Sequence, residues 1–118
     1  MRRWKNDTLS VASHHATKLK EIKEILDFSE EQDTYKFCFA YALRRGLSPD
    51  LSSTLSRTTK WAMGNFDKEG DLWSILEALH PEEEDPQKLL TLLSEAGIDE
   101  IHEKLMNDKL DRISDFAL

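Results

Sequence analysis

The residues best suited to chemistry lie at the start of the chain. Arg2, Arg3 and Lys5 surround Trp4, and the polar side chains of Asn6, Thr8 and Ser10 follow at once. Cationic groups neutralise phosphates, whereas hydroxyl and amide groups can reach base edges in a groove. These residues, with Lys18 as a further cation, form the candidate nucleic-acid-binding site. His14 and His15 are a second chemical pair, but neighbours on a helix project about 100° apart. They do not make the shared face of an i,i+4 metal site. No cysteine or carboxylate cluster completes a tetrahedral set with His80 or His102, so no metal is expected. Cys38 sits in the most apolar stretch, where a thiol packs as a small hydrophobe. Glu82-Glu83-Glu84-Asp85 lacks the spacing of a calcium loop. No Gly-x-Ser-x-Gly elbow or glycine-rich phosphate loop occurs. The expectation is a protein without catalytic residues or cofactors.

Charge divides the chain near Gly64. Up to Lys60 there are eleven Lys and Arg against eight Asp and Glu; from Trp61 onward the counts are five and fifteen. Such asymmetry implies two surfaces for two partners: a basic end toward nucleic acid and an acidic half toward a protein. The 118 residues match one domain with a single core. Within it, 1–6 reads as a basic flexible arm, 7–63 as a strand with buried helices, and 64–118 as an acidic helical half. Four Gly and three Pro favour helices over a many-stranded sheet. No apolar run reaches the roughly 20 residues of a membrane span. The charged start lacks a following apolar region, so no secretory signal is expected. One cysteine excludes an intrachain disulfide and fits a reducing compartment, which makes the cytoplasm the expected location.

Stepping along the chain, Leu9 and Val11 alternate with Thr8 and Ser10, the period of one short strand over 7–12. Ser13 is placed to cap a helix reaching about Phe28, with Ala16, Leu19, Ile22, Ile25 and Leu26 as its apolar stripe. Ser29 and Gln32 have capping-box spacing before a second helix that ends at Arg45, with Gly46 as its C-cap. Phe37, Cys38, Phe39, Tyr41 and Leu43 make that helix apolar almost all round, so it belongs in the core. A third helical segment opens at Ser48-Pro49-Asp50, with Leu51, Leu55 and Trp61 on one face; its many Ser and Thr weaken it. Asp71 is expected to cap a further helix. Pro86 starts another that closes at Gly97, and Asp99 caps the last, carrying Ile101, Leu105, Leu110 and Ile113. The reading is a mainly α fold of five or six helices with one short N-terminal strand. Trp61 and Trp73 are expected to close helices together, and Trp4, in the basic arm, to serve an interface.

The strand–helix–helix order over 7–45 resembles a ribbon-helix-helix module. That family pairs two protomers' strands into an antiparallel ribbon that enters the major groove. The resemblance implies that Thr8 and Ser10 face outward to read bases while Leu9 and Val11 face the core. Asn6-x-x-Leu9-x-Val11, Leu19-x-x-Ile22-Lys23, Phe39-Ala40-x-Ala42-Leu43 and the leucine-rich segment before Gly97 are similar to the small helical proteins of phosphorothioate DNA-modification (Dnd) operons. This second resemblance implies a DNA-associated accessory protein of a bacterial anti-phage or DNA-modification system. An unpaired strand edge further implies a homodimer or higher even oligomer. Two rival readings stand beside it. Overall acidity, and Glu30, Glu31 and Asp33 at the start of the second helix, favour a protein-interaction adaptor that binds no nucleic acid. An antitoxin-like regulator would use its N-terminal module on operator DNA and its C-terminal half on a toxin.

Overall fold

The computed structural model describes residues 4–50, 57–107 and 116. In chain order its elements are β1 (Thr8–Ala12), α1 (Ser13–Ile25), α2 (Glu31–Arg45), β2 (Arg57–Ala62), α3 (Met63–Phe66), α4 (Asp71–Leu79) and α5 (Pro86–Asn107). The fold is mainly helical, with one small antiparallel sheet. No helix among the described residues is long and apolar enough to cross a membrane.

The second strand corrects the expectation of one strand only. Trp61 lies in β2 rather than on a helix, while Leu51 and Leu55 fall outside the described residues. Thr58, Thr59 and Trp61 are β-branched or aromatic, types that suit a pleated, half-buried surface. β2 pairs antiparallel with β1 in the register Thr8↔Ala62, Leu9↔Trp61, Ser10↔Thr59, Val11↔Thr58 and Ala12↔Arg57. The register skips Lys60, a bulge of the kind that inserts one extra residue in a strand. Its ammonium reaches Glu31 in the first turn of α2 at 3.0 Å. The ribbon is therefore built within one chain. An unpaired β1 no longer gives a reason to expect a dimer.

α5 is the longest helix, and it runs through Gly97, which was expected to end it. The reason is a close crossing. A Cβ at Gly97 would collide with the Cys38 carbonyl of α2 and lie 3.4 Å from the Ala42 Cβ. Glycine here serves packing, not capping. Asp99 correspondingly sits mid-helix and not at a cap. Leu110 and Ile113 lie outside the described residues.

α2 occupies the centre as its composition requires. Tyr35, Cys38, Phe39, Tyr41 and Ala42 are buried, and Phe37 and Leu43 pack against the core. Leu9 and Val11 of β1, Leu19 and Ile22 of α1, and Leu90, Leu93, Ile98 and Ile101 of α5 close around it. Burial pushes the Cys38 thiol well up, in keeping with a packed, unreactive side chain. Gly46 ends α2 in the left-handed conformation expected of a glycine C-cap.

Three N-terminal caps differ from the sequence reading. α1 and α2 begin one residue after Ala12 and Glu30, and neither has a side-chain cap; Ser29 stands outside the helix, so its capping box does not form. Asp71 is the first residue of α4, and the capping carboxylate belongs to buried Asp67. Its two oxygens accept the backbone N–H groups of Leu72 and Trp73 at 3.0 and 3.2 Å. A carboxylate at that end also complements the helix dipole.

Candidate nucleic-acid interface

β1 has one edge paired with β2, and α5 covers the other with side chains. The Gln87 carboxamide accepts the Asn6 N–H at 2.8 Å and donates to the Thr8 carbonyl at 2.9 Å. Glu95 accepts the Ala12 N–H at 3.0 Å and also the Arg57 guanidinium. Arg57 in turn donates through Nε to the Ser10 hydroxyl at 3.2 Å. Two side chains of a helix thus stand in for a third strand. Backbone groups that an open edge would expose find partners this way.

Between these two clamps lies a groove of about 290 Å³, lined by Asn6, Thr8, Ser10, Arg57, Gln87 and Lys88, among others. The structure thereby brings together three of the predicted site residues. Thr8 is exposed and Ser10 half-buried, both on the outward side of the ribbon, while Leu9 and Val11 are fully buried. Lys5 stands at the groove's rim, 70% exposed, and pairs loosely with the lining carboxylate Asp85 at 3.6 Å. Arg2 and Arg3 lie outside the described residues. Lys18 does not join the group: its ammonium is held by Asp99 at 2.8 Å. Trp4 packs edge-on against Trp73 of α4, ring centroids 5.0 Å apart, and anchors the start of the described chain to the helical half.

Arg57, Gln87 and Lys88 are the groove residues that the sequence reading missed. Arg57 precedes a β-branched and aromatic run, so a strand assignment there would have placed it. Gln87 and Lys88 carry no local signal, because their relation to β1 spans about eighty positions of sequence.

A larger cavity of about 460 Å³ opens elsewhere, where α1 begins, lined by His14, His15, Leu47, Glu95, Asp99 and Glu103, among others. His15 is buried and shares Asp99 with Lys18: its Nε2 is 3.0 Å from Oδ2, and Lys18 Nζ is 2.8 Å from Oδ1. Burial works against the charge of Asp99. The hydrogen bonds and positive charges of His15 and Lys18 outweigh it, and the carboxyl is held down at about 2. The residue that joins the histidine pair is thus neither His80 nor His102. It is a helix residue 84 positions away.

Arg57 is neutralised by Glu95, Lys60 by Glu31 and Lys18 by Asp99. The groove's chemistry is therefore that of hydroxyls and amides edged by Lys88 and by the loose Lys5–Asp85 pair, beside an acidic remainder. Comparison with protein-family models, with curated proteins and with solved structures finds no match for this chain.

Proposed function

We propose that this chain is a non-enzymatic, DNA-associated accessory protein that meets nucleic acid along the outer side of its two-stranded ribbon. The observation that supports this is the groove in which Asn6, Thr8 and Ser10 stand beside Lys5 and Lys88. Arg2 and Arg3 stand shortly before Lys5 in the sequence as further cations of the arm. Phosphates are neutralised by the arm, and the hydroxyls and amide of the ribbon meet the bases or sugars next to them. The acidic half repels DNA and is left for a protein partner. The likeness of the apolar spacing to small Dnd-operon proteins gives the setting, a bacterial DNA-modification or anti-phage system.

The test is a mobility-shift titration with duplex, nicked and single-stranded DNA across a salt series. Replacing Arg2, Arg3 and Lys5 together with Ala is expected to weaken binding and lower the log–log salt slope by up to about 0.9 per lost contact. Thr8→Ala is expected to change sequence preference and leave the slope alone, because a hydroxyl releases few counterions. Absence of binding to all three substrates at about 50 mM salt overturns the proposal.

A second reading, an adaptor that binds protein only, is favoured by one specific feature. Ile75 and Leu79 are one turn apart on α4 and are 39% and 57% exposed. The acidic turn at 82–85 follows directly. Apolar side chains rimmed by charge suit a protein contact. Loss of a partner on Leu79→Asp, with no nucleic-acid binding by the parent protein, is the outcome this reading requires.

A further inference from the structure

We infer that His14, His15 and Asp99 form a binding site for one divalent transition-metal ion, which would fasten the start of α1 to the middle of α5. The donor atoms of these three residues all lie within 4.8 Å of one another. Donors arranged tetrahedrally around an ion at 2.0–2.1 Å are roughly 3.4 Å apart. His15 Nε2 and Asp99 Oδ2, at 3.0 Å, already have a separation suited to sharing an ion. Only the His14 ring has to close in. It is exposed in the first turn of α1, and its centroid is 3.9 Å from that of His15.

A second observation is the setting of this pair. His15 is buried, and its ring lines a cavity with room for water in the remaining coordination positions. Lys18, bonded to Oδ1, fixes the Asp99 carboxylate and leaves Oδ2 directed at His15. Such outer hydrogen bonds orient metal ligands. The positive end of the α1 dipole disfavours a cation here; Glu103 on the same cavity wall offsets it in part, while Glu95 and Glu100 are paired with Arg57 and Arg45.

The donor types select the ion. Two imidazoles and one carboxylate suit Zn²⁺, Cu²⁺, Ni²⁺ or Fe²⁺ and not the oxygen-seeking Mg²⁺ or Ca²⁺. With three protein ligands the ion keeps an open position toward the cavity. Its direct effect is to cross-link two elements 84 positions apart.

Zn²⁺ alone, titrated calorimetrically into the full chain, tests this. The expected result is one ion per chain with micromolar affinity, and a rise in unfolding temperature. His14→Ala, at an exposed position that the fold does not need, is expected to weaken binding about tenfold or more, and Asp99→Asn likewise. Replacing His80 and His102 together with Ala is expected to leave the affinity unchanged. Co²⁺ gives a second readout: a visible absorption band of the parent protein that His14→Ala removes. No Zn²⁺ binding at millimolar concentration overturns the site. Binding that survives His14→Ala unchanged, or that depends on His80 and His102, overturns it too.

Discussion

At Gly97 two helix backbones come so close that no side chain fits. Ala favours a helix by about 1 kcal/mol over Gly, yet overpacking costs about 1–3 kcal/mol, and here the added methyl meets backbone, which cannot turn aside. Gly97→Ala is therefore expected to lower the urea midpoint. Gly64→Ala, where nothing lies within 4 Å of the added atom, is the matched control and should not. An unchanged midpoint in both would show that the crossing is looser than described. Phe39, 1% exposed, is the second test of this core: Phe39→Ala should cost about 3–5 kcal/mol by urea unfolding. Asp99 supplies a pH dependence. Its carboxyl falls from 3.8 in the unfolded chain to about 2 in the folded one, so the folded state holds the anion more firmly. The resulting stability is fully present above about pH 4 and is lost as pH falls through about 2. Melting curves of the parent protein and Asp99→Asn should be furthest apart near neutral pH and converge in acid. A constant gap would show that the His15 and Lys18 bonds contribute nothing through this group.

Among the elements, the ribbon depends on a helix far away in sequence. Glu95 satisfies the last backbone amide of β1 and the guanidinium of Arg57 from one buried oxygen. Glu95→Ala leaves the Ala12 N–H without a partner and Arg57 with only its bond to Ser10, and should cost about 2–3 kcal/mol in chemical unfolding. Faster hydrogen exchange at Ala12 should accompany the loss; an unchanged exchange rate would show that the clamp is not what protects this strand. What could be read from sequence followed the same division between local and distant. The apolar circuit of α2, the alternation of Leu9 and Val11 and the Gly46 cap are local patterns, and each holds. Gly97 was misread because one residue type serves both a helix end and a helix crossing, and only the partner helix distinguishes them. β2 was missed because the hydroxyl-rich run before it has neither helical nor alternating period, although Thr58, Thr59 and Trp61 carry strand propensity. At the candidate site, Thr8 and Ser10 were legible as neighbours on one strand, and Asn6 as the residue of the arm just before it. Gln87, Glu95 and Asp99 were not, because helix periodicity marks which residues share a face and not what that face meets.

For the molecule as a whole, the bonds that close the N-terminal segment join residues 79 to 84 positions apart: Gln87 to Thr8, Glu95 to Ala12, and Asp99 to His15 and Lys18. The Asn6 N–H to Gln87 bond is a further such tie, and His102 adds another, to Glu21 at 2.7 Å. Closing loops of this length costs entropy before any contact repays it, and distant pairings slow folding for that reason. The consequence is an order of events. During synthesis β1 leaves the ribosome first, but its outer edge waits for α5, so the strand made earliest is completed last. Over that interval its backbone stays open to other chains, including nascent copies of its own. A short pause in translation before residue 86 would lengthen this exposure, and crowding on a polysome would aggravate it.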